Sequence, residues 1–391
     1  MLDNFEIHNF RTFSSLRVEK LGRVNLIVGK NNVGKTMFLE ALRLHAHGGS
    51  PEAIKQLLLG CDEVETTIHS PASDENDSEM RISSLFHRGP SRNGGSNKIS
   101  LGPIGDEKQT VKIEPTFLRR IRSKGGIDQS YEVVAGSVDL SSSSEFTAGL
   151  VVTMGKRRKR YLPVQFFESN RSRLRKEVGI WPAFVTARGV PDKEIFRWWD
   201  AVALHEAEHR VIESLRIISP VERINLVEHP FRRNERLVMA KLSSESSPVP
   251  LKSLGDGMSR IFQIGLAIEC ARVGKATRNE LGPLSIFPER EMEGNRKDTL
   301  LLVDEIENGI HYTALRDLWR FILRVSKLHD VQVFATTHSW DCVRGLQEAL
   351  TDTPDTDVML IRLEKQTSTT KAVSFDAKEL AIVTRDHIEV R

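Results

Sequence analysis

Eight consecutive residues combine two glycines, two lysines and a threonine: Gly29, Lys30, Asn31, Asn32, Val33, Gly34, Lys35 and Thr36. They match the spacing G-x-x-x-x-G-K-[ST]. Gly29 and Gly34 let the chain turn tightly enough for its N–H groups to point at phosphate oxygens. Lys35 supplies positive charge for β- and γ-phosphates, and the Thr36 hydroxyl can ligate Mg²⁺. A helix opening through Met37 adds its N-terminal dipole to the same anion. The pattern predicts a site for ATP and Mg²⁺ along Gly29 to Met37.

Three further clusters suit the same chemistry. Asp304 and Glu305 directly follow the apolar run Leu300 to Val303. At the C-terminal end of a buried parallel strand, such a pair faces the crevice where open α/β sheets bind ligands. Asp304 fits the role of holding Mg²⁺ beside Thr36, and Glu305 that of polarising the attacking water. The run QVFATTHSWD ends a second apolar stretch in His338, which can reach the γ-phosphate or that water. Ser253, Gly255 and Gly257 form a Ser-x-Gly-x-Gly turn before an apolar helix, whose small residues and free N-terminus suit a second anion.

These residues need strands and helices to carry them. Val24 to Val28 is an apolar run of the kind buried on both faces, and Phe38, Leu39, Leu42 and His45 recur at helical steps after the loop. Residues 2–10 alternate and predict an edge-type strand leading into the loop strand, and 51–60 predict a helix. From 61 to 165, short β-like runs (80–86, 110–113, 131–134, 150–154, 161–167) alternate with Gly-, Ser- and Asn-rich segments, as in an antiparallel lobe inserted after the first β-α unit. Residues 191–218 turn helical, a β pair follows at 224–227 and 237–242, and 243–250 reads as a flexible connector. A helix at 259–272, a polar loop at 273–298, buried strands at 299–303 and 331–335, a helix at 312–327 and two closing strands complete the chain. The expected class is α/β, a mixed sheet with flanking helices, an inserted antiparallel lobe and a helical lobe. The expected division is 1–190, with the phosphate loop and the insert; 191–270, with the glycine turn; and 271–391, with the acidic strand and His338.

Composition narrows the setting. Of the 391 residues, 39% are hydrophobic and 28% charged, ordinary for a globular protein. No run of eighteen apolar residues occurs, and the opening residues lack a signal-peptide core. Cys61, Cys270 and Cys342 are far apart and form no C-x-x-C pair, which points to a reducing, cytoplasmic compartment.

The order of phosphate loop, Ser-x-Gly-x-Gly turn, Asp-Glu strand and Thr-His-Ser resembles the ATP-binding-cassette (ABC) type of ATPase. SLGDGMSRI resembles its signature, ENGIHYTAL its D-loop and His338 its switch histidine. The opening IHNFRTFSSLRVEKLGRVNLIVGKNNVGKT, with SLGDGMSR and DEIENGIH, is similar to the overcoming-lysogenization-defect (OLD)-like ATPases, relatives of RecF and SMC proteins. The resemblance covers both ends of the chain and is thin between 61 and 180. It implies an ATP-dependent homodimer in which Ser253, Gly255 and Gly257 complete the site of the other subunit. It also implies a separate effector or nuclease partner and a place in prokaryotic anti-phage defence. Two departures stand out. Gln165 is the candidate for the family's Q-loop glutamine, and the stretch after His338 carries no acidic cluster of a TOPRIM nuclease. A DNA-repair ATPase and a low-turnover scaffold restraining a toxic partner are the alternatives.

His205-Glu206-Ala207-Glu208-His209 matches the zinc-protease pattern H-E-x-x-H, but the apolar stripe Val211, Leu215 and Ile218 puts both histidines on a polar helix face. Basic clusters at 119–124, 155–160, 171–176 and 231–236 suit the phosphates of DNA or RNA, an acidic protein partner, or solvated loops and guarded strand edges.

Overall fold

The computed structural model describes residues 1–60, 82–87, 97–121, 130–133, 146–155, 159–164, 183–229, 235–280, 299–366 and 369–389. The chain opens with β1 (Phe5–Phe10), β2 (Phe13–Val18), β3 (Val24–Val28), α1 (Lys35–Ala46) and α2 (Pro51–Gly60). Next come β4 (Ile99–Gly102), β5 (Val111–Ile121), β6 (Ser130–Val133), β7 (Phe146–Met154), β8 (Arg160–Pro163) and β9 (Ala183–Val185). The middle holds α3 (Asp192–Val202), α4 (Glu206–Leu215), β10 (Val221–Glu228), β11 (Arg236–Leu242), β12 (Val249–Pro250) and α5 (Asp256–Glu280). The chain closes with β13 (Thr299–Val303), α6 (Tyr312–His329), β14 (Val331–Thr336), α7 (Trp340–Leu350), β15 (Val358–Lys365), β16 (Thr370–Phe375) and α8 (Ala377–Arg385).

A six-stranded sheet in the order β16-β15-β3-β14-β13-β9 forms the centre. All its pairs are parallel except the edge pair β15–β16. Every residue of β3, β13 and β14 is buried, as near-continuous apolar runs between two covered faces must be. Strand alternation sends Val24, Leu26, Leu301, Val303, Val333 and Ala335 into one core, where α3 to α8 pack. Ile27, Leu300, Leu302 and Phe334 face the opposite core with α1, α2 and the second sheet.

That second sheet is antiparallel throughout, in the order β2-β1-β4-β5-β7-β8 with β6 on β5. The 61–165 region supplies antiparallel strands, but they extend a sheet begun by β1 and β2 instead of standing apart. β1 therefore lies inside this sheet, between β2 and β4, and is not an edge strand. The run at 82–86 is a helical turn ending in an isolated bridge from Phe86 to Phe10. Residues 249–250 pair with β11, which anchors the connector. The helix after the glycine turn continues to Glu280: Gly274 weakens it, but no proline from 273 to 280 removes a backbone donor. A buried polar knot ties the chain start to the sheet: the Gln332 amide donates to Leu2 and Gly22 main-chain oxygens, each at 2.8 Å.

Candidate active site

The phosphate loop joins β3 to α1, and the fold explains its glycines. Gly34 has φ +105°, and a Cβ there would lie 2.5 Å from the Phe13 ring and 2.9 Å from the Thr12 hydroxyl. Gly29 has φ +148°, and its Cβ would meet the Leu363 main-chain oxygen at 2.6 Å. The loop is thus pressed between the β1–β2 turn and β15, where only glycine fits. Lys30, Asn31 and Asn32 are exposed at its tip, Asn32 with φ +63°, while Val33 is buried beneath it. Met37 packs partly buried against the antiparallel-sheet core. No acidic residue occupies the first turn of α1, which leaves its N-terminal dipole uncompensated for an anion.

Lys35 Nζ donates to Gly29 O at 2.7 Å and Lys30 O at 3.3 Å. Burial holds its ammonium below the ordinary lysine value, while Glu305, Asp304 and Glu307 pull the other way. Asp304, directly after β13, is buried. Its carboxylate accepts the Thr36 hydroxyl at 3.0 and 3.2 Å and the Thr336 hydroxyl at 2.6 Å. Thr336 Oγ1 in turn accepts the Glu305 N–H at 2.8 Å. Glu305, a half-buried residue, sits at φ +49°, in the left-handed region. Parallel pairing of β3, β14 and β13 in register sets all three strand ends side by side.

A hydroxyl and a carboxylate oxygen 3.0 Å apart are hard donors of the kind Mg²⁺ takes when phosphates and water complete its shell. Thr36 and Asp304 fit that ion. Among the described residues no group of three or more His, Cys, Asp or Glu side chains could hold a metal by itself. His205 precedes the first turn of α4 with extended backbone (φ −111°, ψ 165°), so the two histidines of HEAEH do not share a helical turn.

His338 follows β14 with its side chain 54% exposed, and its N–H donates to Glu307 Oε1 at 3.1 Å. Ser253 and Gly255 lie on the surface, the Ser253 hydroxyl donating to Pro250 O at 2.7 Å. Gly257 is buried, and a Cβ there would lie 2.6 Å from Gly309 O, so the glycine turn rests on the loop after the acidic pair. The structure therefore brings Lys35, Thr36, Asp304 and Glu305 together, sets His338 on the adjoining strand end and leaves Ser253 and Gly255 facing outward. Gln165 and most residues of the four basic clusters lie outside the described residues.

Three contributors escape a motif reading. Thr336 carries the hydroxyl that links Asp304 to Glu305, and Glu307 holds His338. Arg260 is almost fully buried and donates from Nη1 to Thr186 O at 2.5 Å and from Nη2 to the main-chain oxygens of Asp304 and Glu305. Arg260 was visible as the arginine of SLGDGMSR, and Thr336 as the first residue of Thr-Thr-His-Ser.

A family model described as "AAA domain, putative AbiEii toxin, Type IV TA system" matches residues 24–341. A Helicobacter pylori protein named ATP/GTP phosphatase is 22% identical over 377 residues, covering 90% of this chain and 88% of that protein. An uncharacterized Methanocaldococcus jannaschii protein is 48% identical over 44 residues, 11% of this chain and 20% of that one. Among solved structures, an SMC head bound to the C-winged helix domain of ScpA aligns with a TM-score of 0.47 at 12% identity, covering 96% of this chain and 98% of that one. The SMC head domain from Thermotoga maritima aligns at 0.43 with the same identity and coverage. The family match runs from the phosphate-loop strand through Asp304 and Glu305 to just past His338, and on that span the chain belongs to the AAA domain family as a P-loop ATPase.

Proposed function

We propose that the protein binds Mg·ATP at the Thr36–Asp304 end of its parallel sheet and hydrolyses it between two copies of the chain. The observation that carries this reading is the link from the Thr36 hydroxyl to the Asp304 carboxylate and on to the Thr336 hydroxyl, at 3.0 and 2.6 Å. It joins loop, acidic pair and His338 strand at one edge. The name of the Helicobacter pylori relative, ATP/GTP phosphatase, supports turnover at such an edge.

In this mechanism the loop amides and Lys35 take up phosphate charge. Thr36 and Asp304 would hold Mg²⁺, which would supply positive charge against the phosphates. Glu305 orients a water and takes its proton as the water oxygen bonds to the γ-phosphorus and the bond to the β-phosphate oxygen breaks. His338 stands beside the γ-phosphate and the water that attacks it. The exposed Ser253–Gly255 turn, with open space around Gly255, supplies the contacts of the opposite subunit. The dimer state is the output, read by a separate effector or by nucleic acid. By resemblance to OLD-like ATPases, that output serves anti-phage defence in the cytoplasm.

Light scattering of Glu305→Gln protein with and without Mg·ATP tests the reading. The expected result is a larger assembly only with Mg·ATP, and ATP turnover in the unmodified protein that is lost in the variant. One size under all conditions would remove the dimer mechanism. Equal turnover in both proteins, at a barely measurable level, would favour an ATP-bound scaffold.

A further inference from the structure

Glu307 has no part in the mechanism above, yet its carboxylate is nearly enclosed, with the side chain 11% exposed. Oε1 accepts the His338 N–H at 3.1 Å and stands 3.3 Å from His338 Nδ1. Among the described residues, Oε2 is buried with no hydrogen-bond partner. The turn that carries Glu307 is tightly held. Ile306 N–H donates to Thr336 O at 3.0 Å, Ile310 N–H to Glu307 O at 2.9 Å, and the Asn308 amide to Ala187 O at 2.8 Å.

An exposed imidazole is thus tethered, through main chain and ring, to a rigid acid on the neighbouring strand end. A buried carboxylate oxygen lacking a donor destabilises a fold, so stability alone does not account for Glu307. What the arrangement does achieve is orientation. An imidazole whose Nδ1–H faces a fixed carboxylate keeps one ring position and one tautomer, and leaves Nε2 as its working nitrogen.

We propose that Glu307 is the positioning residue of His338, holding Nδ1–H so that Nε2, an acceptor in that tautomer, takes a hydrogen bond from the water that attacks the terminal phosphate. The proposal rests on the ATPase reading of this site, and Glu307 itself touches no reacting atom.

The test uses the full chain as Glu307→Ala, Glu307→Gln, His338→Ala and the Glu307→Ala/His338→Ala double variant. Nitrogen shifts of ¹⁵N-histidine-labelled protein, assigned by the signal missing from His338→Ala, report the His338 tautomer. The expected unmodified signal is a ring protonated at Nδ1, shifting toward the Nε2-protonated form in Glu307→Ala. In steady-state kinetics, Glu307→Ala and His338→Ala each lower kcat at least about tenfold with KM for ATP within about twofold. The double variant falls no further than His338→Ala, and Glu307→Gln, which keeps an acceptor oxygen, recovers part of kcat. An unchanged tautomer in Glu307→Ala, or losses that multiply in the double variant, would overturn the proposal. Should Glu307→Ala fail to fold, Glu307→Gln and Glu307→Asp carry the same two readouts. Absence of turnover in the unmodified protein would sink the ATPase reading, while the tautomer signal would still decide whether Glu307 sets the ring.

Discussion

The Arg260 guanidinium donates to the main-chain oxygen of Glu305 at 3.0 Å. The helix that carries the glycine turn therefore grips the strand end that carries the acidic pair. Glu305 needs the grip, because a non-glycine residue at φ +49° is strained by about 1–2 kcal/mol. Burial lowers the Arg260 pKa to about 10, against the pull of Asp304, Glu307 and Glu305, so the side chain stays charged at neutral pH.

Arg260→Lys should lower turnover about tenfold while leaving nucleotide affinity close to that of the unmodified protein, because an ammonium cannot fork across three carbonyls. Arg260→Ala leaves those carbonyls without their donor and should destabilise the fold by about 2–4 kcal/mol in urea unfolding. A lysine variant with full turnover would show that the fork is not what keeps Glu305 in place.

Thr336 is fully buried, and its hydroxyl serves Asp304 and Glu305 at once. Thr336→Val keeps the shape and removes both bonds, which should cost about 1–3 kcal/mol of stability. The Mg²⁺ concentration for half-maximal turnover should rise several-fold, with Thr336→Ser close to the unmodified value. A magnesium titration that does not move in the valine variant would detach Thr336 from the metal-holding end of the site.

Gly257 and Gly255 differ in what surrounds them, although both belong to the same turn. An alanine at 257 must push α5 away from Gly309, whose main-chain oxygen would lie 2.6 Å from the new Cβ. An alanine at 255 meets nothing within 4 Å among the described residues but strains a backbone at φ +100°. Gly257→Ala should therefore weaken ATP-dependent assembly and turnover more than about tenfold, with ATP binding to the phosphate loop retained. Light scattering and fluorescent-nucleotide binding on the same samples separate the two effects.

The readable parts of the chain were those with strong local signals. Val24 to Val28, Thr299 to Val303 and Val331 to Ala335 are predominantly apolar runs, each with one polar residue (Asn25, Thr299, Gln332), and each is a strand of the central sheet. The phosphate loop and the Asp304–Glu305 pair were legible because backbone turn and strand end are local. β1 was misplaced because alternation shows that a strand has two unlike faces, not whether its edges are paired. β9 has three residues, too few for a period. α8 was unread although Asp376 and Glu379 form a capping box that sequence spacing could have shown. Arg260 and Glu307 both stand inside quoted motifs, but the roles of the two do not show there. Their partners are main-chain groups of residues 44 and 31 positions away, and no side-chain pattern encodes a main-chain partner.

Acid should expose one further device in the helical layer. Glu269 of α5, with its side chain fully buried, accepts Arg210 of α4 at 2.8 and 3.1 Å and lies 3.2 Å from His329 Nε2 at the end of α6. Burial alone would raise its carboxyl, but the hydrogen bonds of His329 and Arg210 outweigh burial and hold it below the ordinary 4.5. The unfolded chain therefore takes up this proton first as pH falls. Stability from the charged Glu269 is present in full above about pH 4.5 and is lost as pH drops through the lower folded value. Glu269→Gln leaves Arg210 and His329 without their anion and should cost about 3 kcal/mol near neutrality. The gap between the two proteins should narrow on acidification below pH 4.5, as the unmodified protein loses the same charge. Urea unfolding of both proteins across that range gives the gap directly. A gap that stays constant would mean that packing around residue 269, and not its charge, holds α4, α5 and α6 together.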